Sequence, residues 1–171
     1  GGACYELEHL RQIKEVCTEH NLKFHLDGAR IWNALVAKNQ DSKEFGKLFD
    51  TISVCLSKGL GAPIGSVLLA NKKTIHRALR IRKILGGGMR QVGYLAAAGI
   101  YALDNNIERL AEDHRRAKEL ATVLEHKDWV ASVEPVETNI LIFSLAPQVS
   151  EAQLIEKLKQ KNILISSMGQ G

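Results

Sequence analysis

Two short strand-like runs, each followed closely by a chemically versatile polar residue and separated by helix-like sequence, constrain this chain more than any other feature. In Leu22–Asp27 the apolar Leu22, Phe24 and Leu26 alternate with Lys23 and His25, the period of a half-buried strand. Phe49–Ser57 (FDTISVCLS) is rich in β-branched residues and reads as a second strand. Residues 29–37 between them are helix-like. Strands joined through a helix build α/β sheets, and ligands bind in such sheets beyond the carboxyl ends of the strands. Asp27 closes the first run and Lys58 follows the second, 58 − 27 = 31 positions later. The two are therefore expected to face one crevice.

Around this pair the pattern continues in α/β style. Leu7, Leu10, Ile13, Val16 and Cys17 give residues 5–20 the period of an amphipathic helix. After the loop Gly59–Pro63, Ile64–Ala70 is almost wholly apolar and is expected to be a strand buried on both faces. Helices are expected over 72–84, 91–103 and about 107–126, with Gly86-Gly87-Gly88 breaking the first from the second. The grammar then changes. Residues 130–133, 139–144 and 163–166 read as strands, with a helix at about 150–161 opened by Ser150 as N-cap. The expected fold class is α/β to about residue 110, followed by the start of a smaller α+β unit.

Composition narrows the function classes. The 171 residues are 45% hydrophobic and 25% charged, ordinary values for a globular chain, and only 5% aromatic, which argues against an aromatic-rich nucleic-acid platform. The net charge of +4 comes from 23 basic and 19 acidic residues that are well mixed, so it reads as a solvated surface. The basic stretch 72–90 carries Ile75, Leu79, Ile81 and Ile84 among its cations, the pattern of a packed helix and not of a nucleic-acid binder. Three scattered cysteines (Cys4, Cys17, Cys55) fit a reducing compartment such as the cytoplasm. No apolar run approaches the ~20 residues of a membrane span. The start at Gly1 and the finish at Gly169-Gln170-Gly171 read as cuts through a longer protein.

Taken singly, Asp27 and Lys58 each admit a plain structural role. Asp27 would cap a helix beginning near Ala29, and Lys58 would be a surface lysine in a turn. The functional alternative places Lys58 between an apolar strand and glycines that let backbone approach a ligand. Desolvated there, its amine is freed to form a Schiff base. Asp27 would then be the carboxylate that keeps a pyridinium ring protonated as an electron sink. Arg30 would clamp a carboxylate or support Asp27 by an ion pair.

The longer strings decide between these roles. HLDGARIWNA at 25–34, SVCLSKGLGAPIGS at 53–66 and KILGGGMRQVGYLAAAGIYAL at 83–103 follow one another at these separations, beside LEHL, EHNLKFHLDGAR and NNIERLAEDHRRAKELA. Together they resemble the signature segments of the low-specificity L-threonine aldolases. These are a branch of the aspartate-aminotransferase-like (fold type I) enzymes that use pyridoxal 5'-phosphate (PLP).

The resemblance implies that Lys58 carries the cofactor and that Asp27 lies under its pyridine nitrogen. It places Arg30 at the ring region, Ser57 as a phosphate contact, and Arg90 as a phosphate ligand reaching across a subunit boundary, with Lys83 near the same site. His25 is expected to be a packed or surface histidine. Residues 1–110 would be the C-terminal part of the PLP-binding large domain and 111–171 part of the small domain.

The implied reaction is carbon–carbon cleavage of threonine or allo-threonine to glycine and acetaldehyde, in a homodimer or homotetramer when complete. The family's ring-stacking histidine, most of its phosphate cup and its substrate-carboxylate arginine have no counterpart here, so this chain alone is expected to be inactive. Two alternatives stay open: another fold-type-I amino-acid lyase, and a truncated, non-catalytic remnant serving as an interaction fragment.

Overall fold

The structure, a computed structural model, describes residues 2–167. Helix α1 (Leu7–Glu19) is followed by β1 (His25–Gly28), α2 (Ile31–Lys38), a one-turn α3 (Ser42–Gly46), β2 (Thr51–Cys55) and β3 (Ser66–Ala70). Three longer helices come next, α4 (Lys72–Ile84), α5 (Gly93–Asn105) and α6 (Leu110–Glu125), and then β4 (Val130–Val133), β5 (Phe143–Leu145) and α7 (Glu151–Lys159). β1, β2 and β3 form one sheet in that order, with β1 and β2 parallel and β3 antiparallel to β2. β4 and β5 form a separate antiparallel pair. This is the α/β architecture expected of a fold-type-I segment joined to a smaller β-containing region.

Local chemistry sets the helix ends. Asn71 Oδ1 accepts the Thr74 N–H at 2.9 Å to open α4, and Ser150 Oγ accepts the Gln153 N–H at 3.5 Å to open α7. α2 ends on Asn39, whose φ of 48° places it in the left-handed region where asparagine is tolerated. Gln91 also has a positive φ, 51°, which delays α5 to Gly93. α3 was not anticipated; Asp41 accepts the Lys43 N–H at 2.6 Å and Phe45 is buried.

Leu10, Leu35 and Phe45 make one buried cluster, packed by Phe24, Leu26 and Phe49. α1, α2 and α3 therefore cover the Leu26 side of the sheet. Leu60, Ala62, Ala102 and Leu110 make a second cluster with Trp32, Leu56, Leu103 and Ile107, under the loop after β2.

β1 begins at His25, three residues later than the apolar alternation suggests. The Phe24 backbone pairs instead with Asp50, whose N–H donates to Phe24 O at 2.8 Å and whose carboxylate accepts the Phe24 N–H at 3.1 Å. Lys23 and Lys14 each reach that carboxylate at 3.0 Å. The backbone N–H first, and the two ammonium groups after it, hold the Asp50 carboxyl far below the usual carboxylate range. A carboxyl depressed on folding stabilises above its unfolded pKa of about 3.9, and that contribution is lost as pH falls through the folded value. Asp50→Ala is therefore expected to destabilise by about 1–2 kcal/mol at pH 7. The deficit should shrink below about pH 4, read as urea midpoints at both pH values.

Three expectations are corrected. β3 is not buried on both faces: Val67, Leu68 and Leu69 are 42, 40 and 49% exposed, and β3 is an edge strand that pairs with β2 alone among the described residues. α4 has no buried residue: Leu79, Ile81 and Ile84 are 49, 52 and 70% exposed, not the packed face expected. Residues 163–166 form no strand; no described strand pairs with them, and Leu164 is 82% exposed. Residues 169–171 lie outside the described residues. Among the described residues no helix is long and apolar enough to cross a membrane.

Candidate active site

Parallel pairing fixes the relation between the two key segments. Asp27 is in register with Ser53 and Gly28 with Val54, so both strands emerge at the same edge of the sheet. Lys58 follows five positions after Ser53 (58 − 53 = 5), past the end of β2. Alternation assigns the faces. His25 Nδ1 lies 2.7 Å from Thr51 Oγ1, so His25, Asp27, Thr51, Ser53 and Cys55 share one face. Leu26 and the buried Val54 take the other, beneath the helices. His25 is exposed on the Asp27 face, consistent with a surface histidine.

Asp27 does not cap α2. That helix begins at Ile31 with Arg30 in the N-cap position and no side-chain cap bond. Asp27 Oδ1 accepts the Ala29 N–H at 3.2 Å, a local turn across two residues, and the other oxygen has no partner among the described residues. Arg30 is exposed and makes no ion pair with Asp27. Gly28 is required where it stands: a Cβ there would lie 2.8 Å from the Ser53 carbonyl oxygen.

Lys58 opens a tight turn. The Gly61 N–H donates to Lys58 O at 2.9 Å, and Gly61 has a φ of 73° that favours glycine. The Ala62 N–H donates to Leu56 O at 3.1 Å and the Leu56 N–H to Gly65 O at 3.0 Å, closing the loop at its base. The Ser57 hydroxyl reaches Gly65 O at 3.5 Å. The expected desolvation of Lys58 is not seen: it is exposed, and it has no hydrogen-bond or ion-pair partner among the described residues. Nor do two open surface hollows include it. One is lined by Trp129, Gln153 and Lys157, the other by Lys118, Glu125 and Val133. Arg90 is exposed in the connection between α4 and α5, without a partner among the described residues. No group of three or more metal-ligating side chains exists among the described residues.

Beneath the lysine turn lies a polar support that sequence reasoning passed over. Asn33 on α2 and His114 on α6 are both buried, and Asn33 Nδ2 lies 3.2 Å from His114 Nε2. With the carboxamide in this orientation the imidazole accepts and is neutral. Burial also pushes His114 below the usual histidine range, with Asp113 opposing and Lys118 adding. A signal was available, since Leu110, His114, Ala117 and Ala121 recur at helical spacing on the buried face of α6. Gly59 rests directly on this support. A Cβ there would come within 2.9 Å of Leu110 Cδ2, a fully buried side chain, and 3.4 Å of Asn33 Oδ1. Gly59→Ala is accordingly expected to cost about 1–3 kcal/mol by overpacking, read by urea denaturation. A change below a few tenths of a kcal/mol would contradict this packing.

Residues 1–148 match the beta-eliminating lyase family. The chain is 47% identical over 160 residues to the low specificity L-threonine aldolase of Escherichia coli strain K12, covering 94% of this chain and 47% of that protein. It is 39% identical over 168 residues to the low-specificity L-threonine aldolase 1 of Arabidopsis thaliana, covering 96% and 47%. A solved Listeria monocytogenes EGD-E structure, assigned as an L-allo-threonine aldolase, superposes with a TM-score of 0.82 at 26% identity, covering 97% of this chain and 47% of that one. The chain thus spans about half the length of the relatives it matches.

Proposed function

The chain belongs to the beta-eliminating lyase family, and on that premise we propose that the protein is a PLP-dependent carbon–carbon lyase cleaving L-threonine or L-allo-threonine to glycine and acetaldehyde. One observation carries the reading. Among the described residues, the Lys58 amine has no partner and one Asp27 carboxylate oxygen is unengaged; Asp27 lies near the end of β1 and Lys58 just past β2, parallel strands that end at one sheet edge. Those are the two groups a pyridine aldehyde needs, so the residues present fit the cofactor.

When bound, PLP would supply the electron sink for the pair released as the substrate's Cα–Cβ bond breaks. Lys58 Nζ would hold the cofactor's aldehyde carbon and yield that place to the substrate amine. The free Asp27 oxygen would hold a proton on the pyridine nitrogen. Arg30, at the start of α2, would lie by the ring, and Ser57 and Arg90 would take phosphate oxygens, Arg90 from a neighbouring subunit. The apolar side chains bared along α4 and α5, with Ile84 70% and Tyr94 90% exposed, support a homodimer or homotetramer. By the same reading residues 1–110 belong to the PLP-binding large domain and 111–171 to a small one, supported by the two separate sheets. The free thiols of Cys4, Cys17 and Cys55 support a cytoplasmic setting. This chain alone is proposed to be inactive, because Lys58 stands exposed on an edge that activity requires to be enclosed.

The family's description favours one rival, β-elimination. Incubating the full-length protein with PLP and threonine should yield glycine and acetaldehyde. Pyruvate from serine, with no acetaldehyde from threonine, would replace the aldolase reading by an eliminating lyase. A colourless preparation indifferent to PLP would favour a non-catalytic role.

A further inference from the structure

The turn that carries Lys58 is held from below by a side chain at the end of α5. Asn106 terminates α5, and its Nδ2 donates to the carbonyl oxygen of Leu60 at 2.7 Å, 46 positions away in sequence. Leu60 is 2% exposed and locked among Ala62, Ala102 and Leu110. Asn106 therefore satisfies a main-chain acceptor at a nearly solvent-free residue. On the same side, Arg109 Nη1 reaches Gly59 O at 3.5 Å, and a Cβ on Gly61 would lie 3.9 Å from Asn106 Nδ2. Lys58 lies two residues before Leu60, and its carbonyl accepts the Gly61 N–H. The peptide units on which the lysine's direction depends are thus fastened to the junction of α5 and α6, while Lys58 Nζ has no partner among the described residues.

We infer that Asn106 is a positioning residue for Lys58, fixing the 58–61 turn so that the amine is presented to the cofactor aldehyde in a single direction. The inference rests on Lys58 being the cofactor lysine. The physical argument concerns an exposed, unpartnered side chain. Its direction is set only by its own rotamers and by the backbone it leaves, so a fixed backbone is what limits its search. Releasing Leu60 O lets the glycine-flanked turn rotate, since Gly59 and Gly61 offer little conformational resistance.

The test takes the full-length protein, freed of cofactor and then given PLP. Samples are quenched with borohydride at intervals, and adduct at Lys58 is quantified by peptide mass spectrometry; equilibrium PLP affinity and the kcat and KM for threonine are measured in parallel. Asn106→Ala and the isosteric Asn106→Asp, which removes the donor, should each slow adduct formation at Lys58 and lower kcat about tenfold. KM for threonine should stay within about twofold. Asn105→Ala is the control, because that carboxamide donates to Tyr101 O within its own helix and touches no part of the turn; it should leave all readouts unchanged. Adduct formation at the wild-type rate in either folded Asn106 variant overturns the inference. Loss of folding in both, read by far-ultraviolet circular dichroism, also overturns it, since the residue is then a structural one. Wild-type adduct at a different lysine, or at none, sinks the Lys58 assignment itself and is distinguishable from both.

Discussion

Lys58→Ala in the full-length protein is expected to lower kcat/KM for threonine cleavage by at least about a thousandfold and to remove the PLP-dependent visible absorption. The magnitude follows from the proposed chemistry: the group removed is the one assigned to form and release the covalent link to the cofactor. The structure also predicts that the loss comes without collapse. Lys58 is exposed and has no hydrogen-bond or ion-pair partner among the described residues, so its truncation should shift stability by no more than about 0.5 kcal/mol. A variant that keeps its colour, or that loses activity only because it unfolds, would remove Lys58 from the mechanism.

Asp27→Asn should have the second-largest effect, a fall in kcat of roughly a hundred- to a thousandfold. The substitution separates charge from shape. Asp27 Oδ1 accepts the Ala29 N–H, and an asparagine oxygen can accept the same bond, so the turn into α2 should persist. What disappears is the negative charge that would stabilise a protonated ring nitrogen. Asp27→Ala would confound the two by releasing the Ala29 N–H as well. Activity of Asp27→Asn within about threefold of wild type would show that this carboxylate only shapes the turn.

Much of this was legible in the chain itself, for identifiable reasons. Helices with long apolar periods were read to within a few residues: α1 runs Leu7–Glu19 against an expected 5–20, and α4 matches at both ends. Asp27 and Lys58 stood out because one closes and the other closely follows a run of strand-like residues, and parallel pairing makes both strands end at one edge. Apolar periodicity reports that a surface needs covering without saying what covers it. That is why Leu68 on β3 and Ile81 on α4, read as buried and packed, are exposed. Contacts between distant segments leave weaker traces. Asn106 meets Leu60, and Asn33 meets His114, across 46 and 81 positions, and a carboxamide at a helix end resembles any other cap until its partner is seen.

The register of β1 against β2 links the core to the chemistry in a way that matters for engineering. Side chains on a strand alternate, so sliding β1 by a single residue would turn the Asp27 carboxylate inward, toward Leu35 and Phe45, and send Leu26 out in its place. That grease underneath is what forbids the slip. Substitutions at Leu10, Leu35 or Phe45 that weaken its preference for Leu26 are expected to misplace the Asp27 carboxylate before they melt the fold, and a screen for lost stability alone would overlook them.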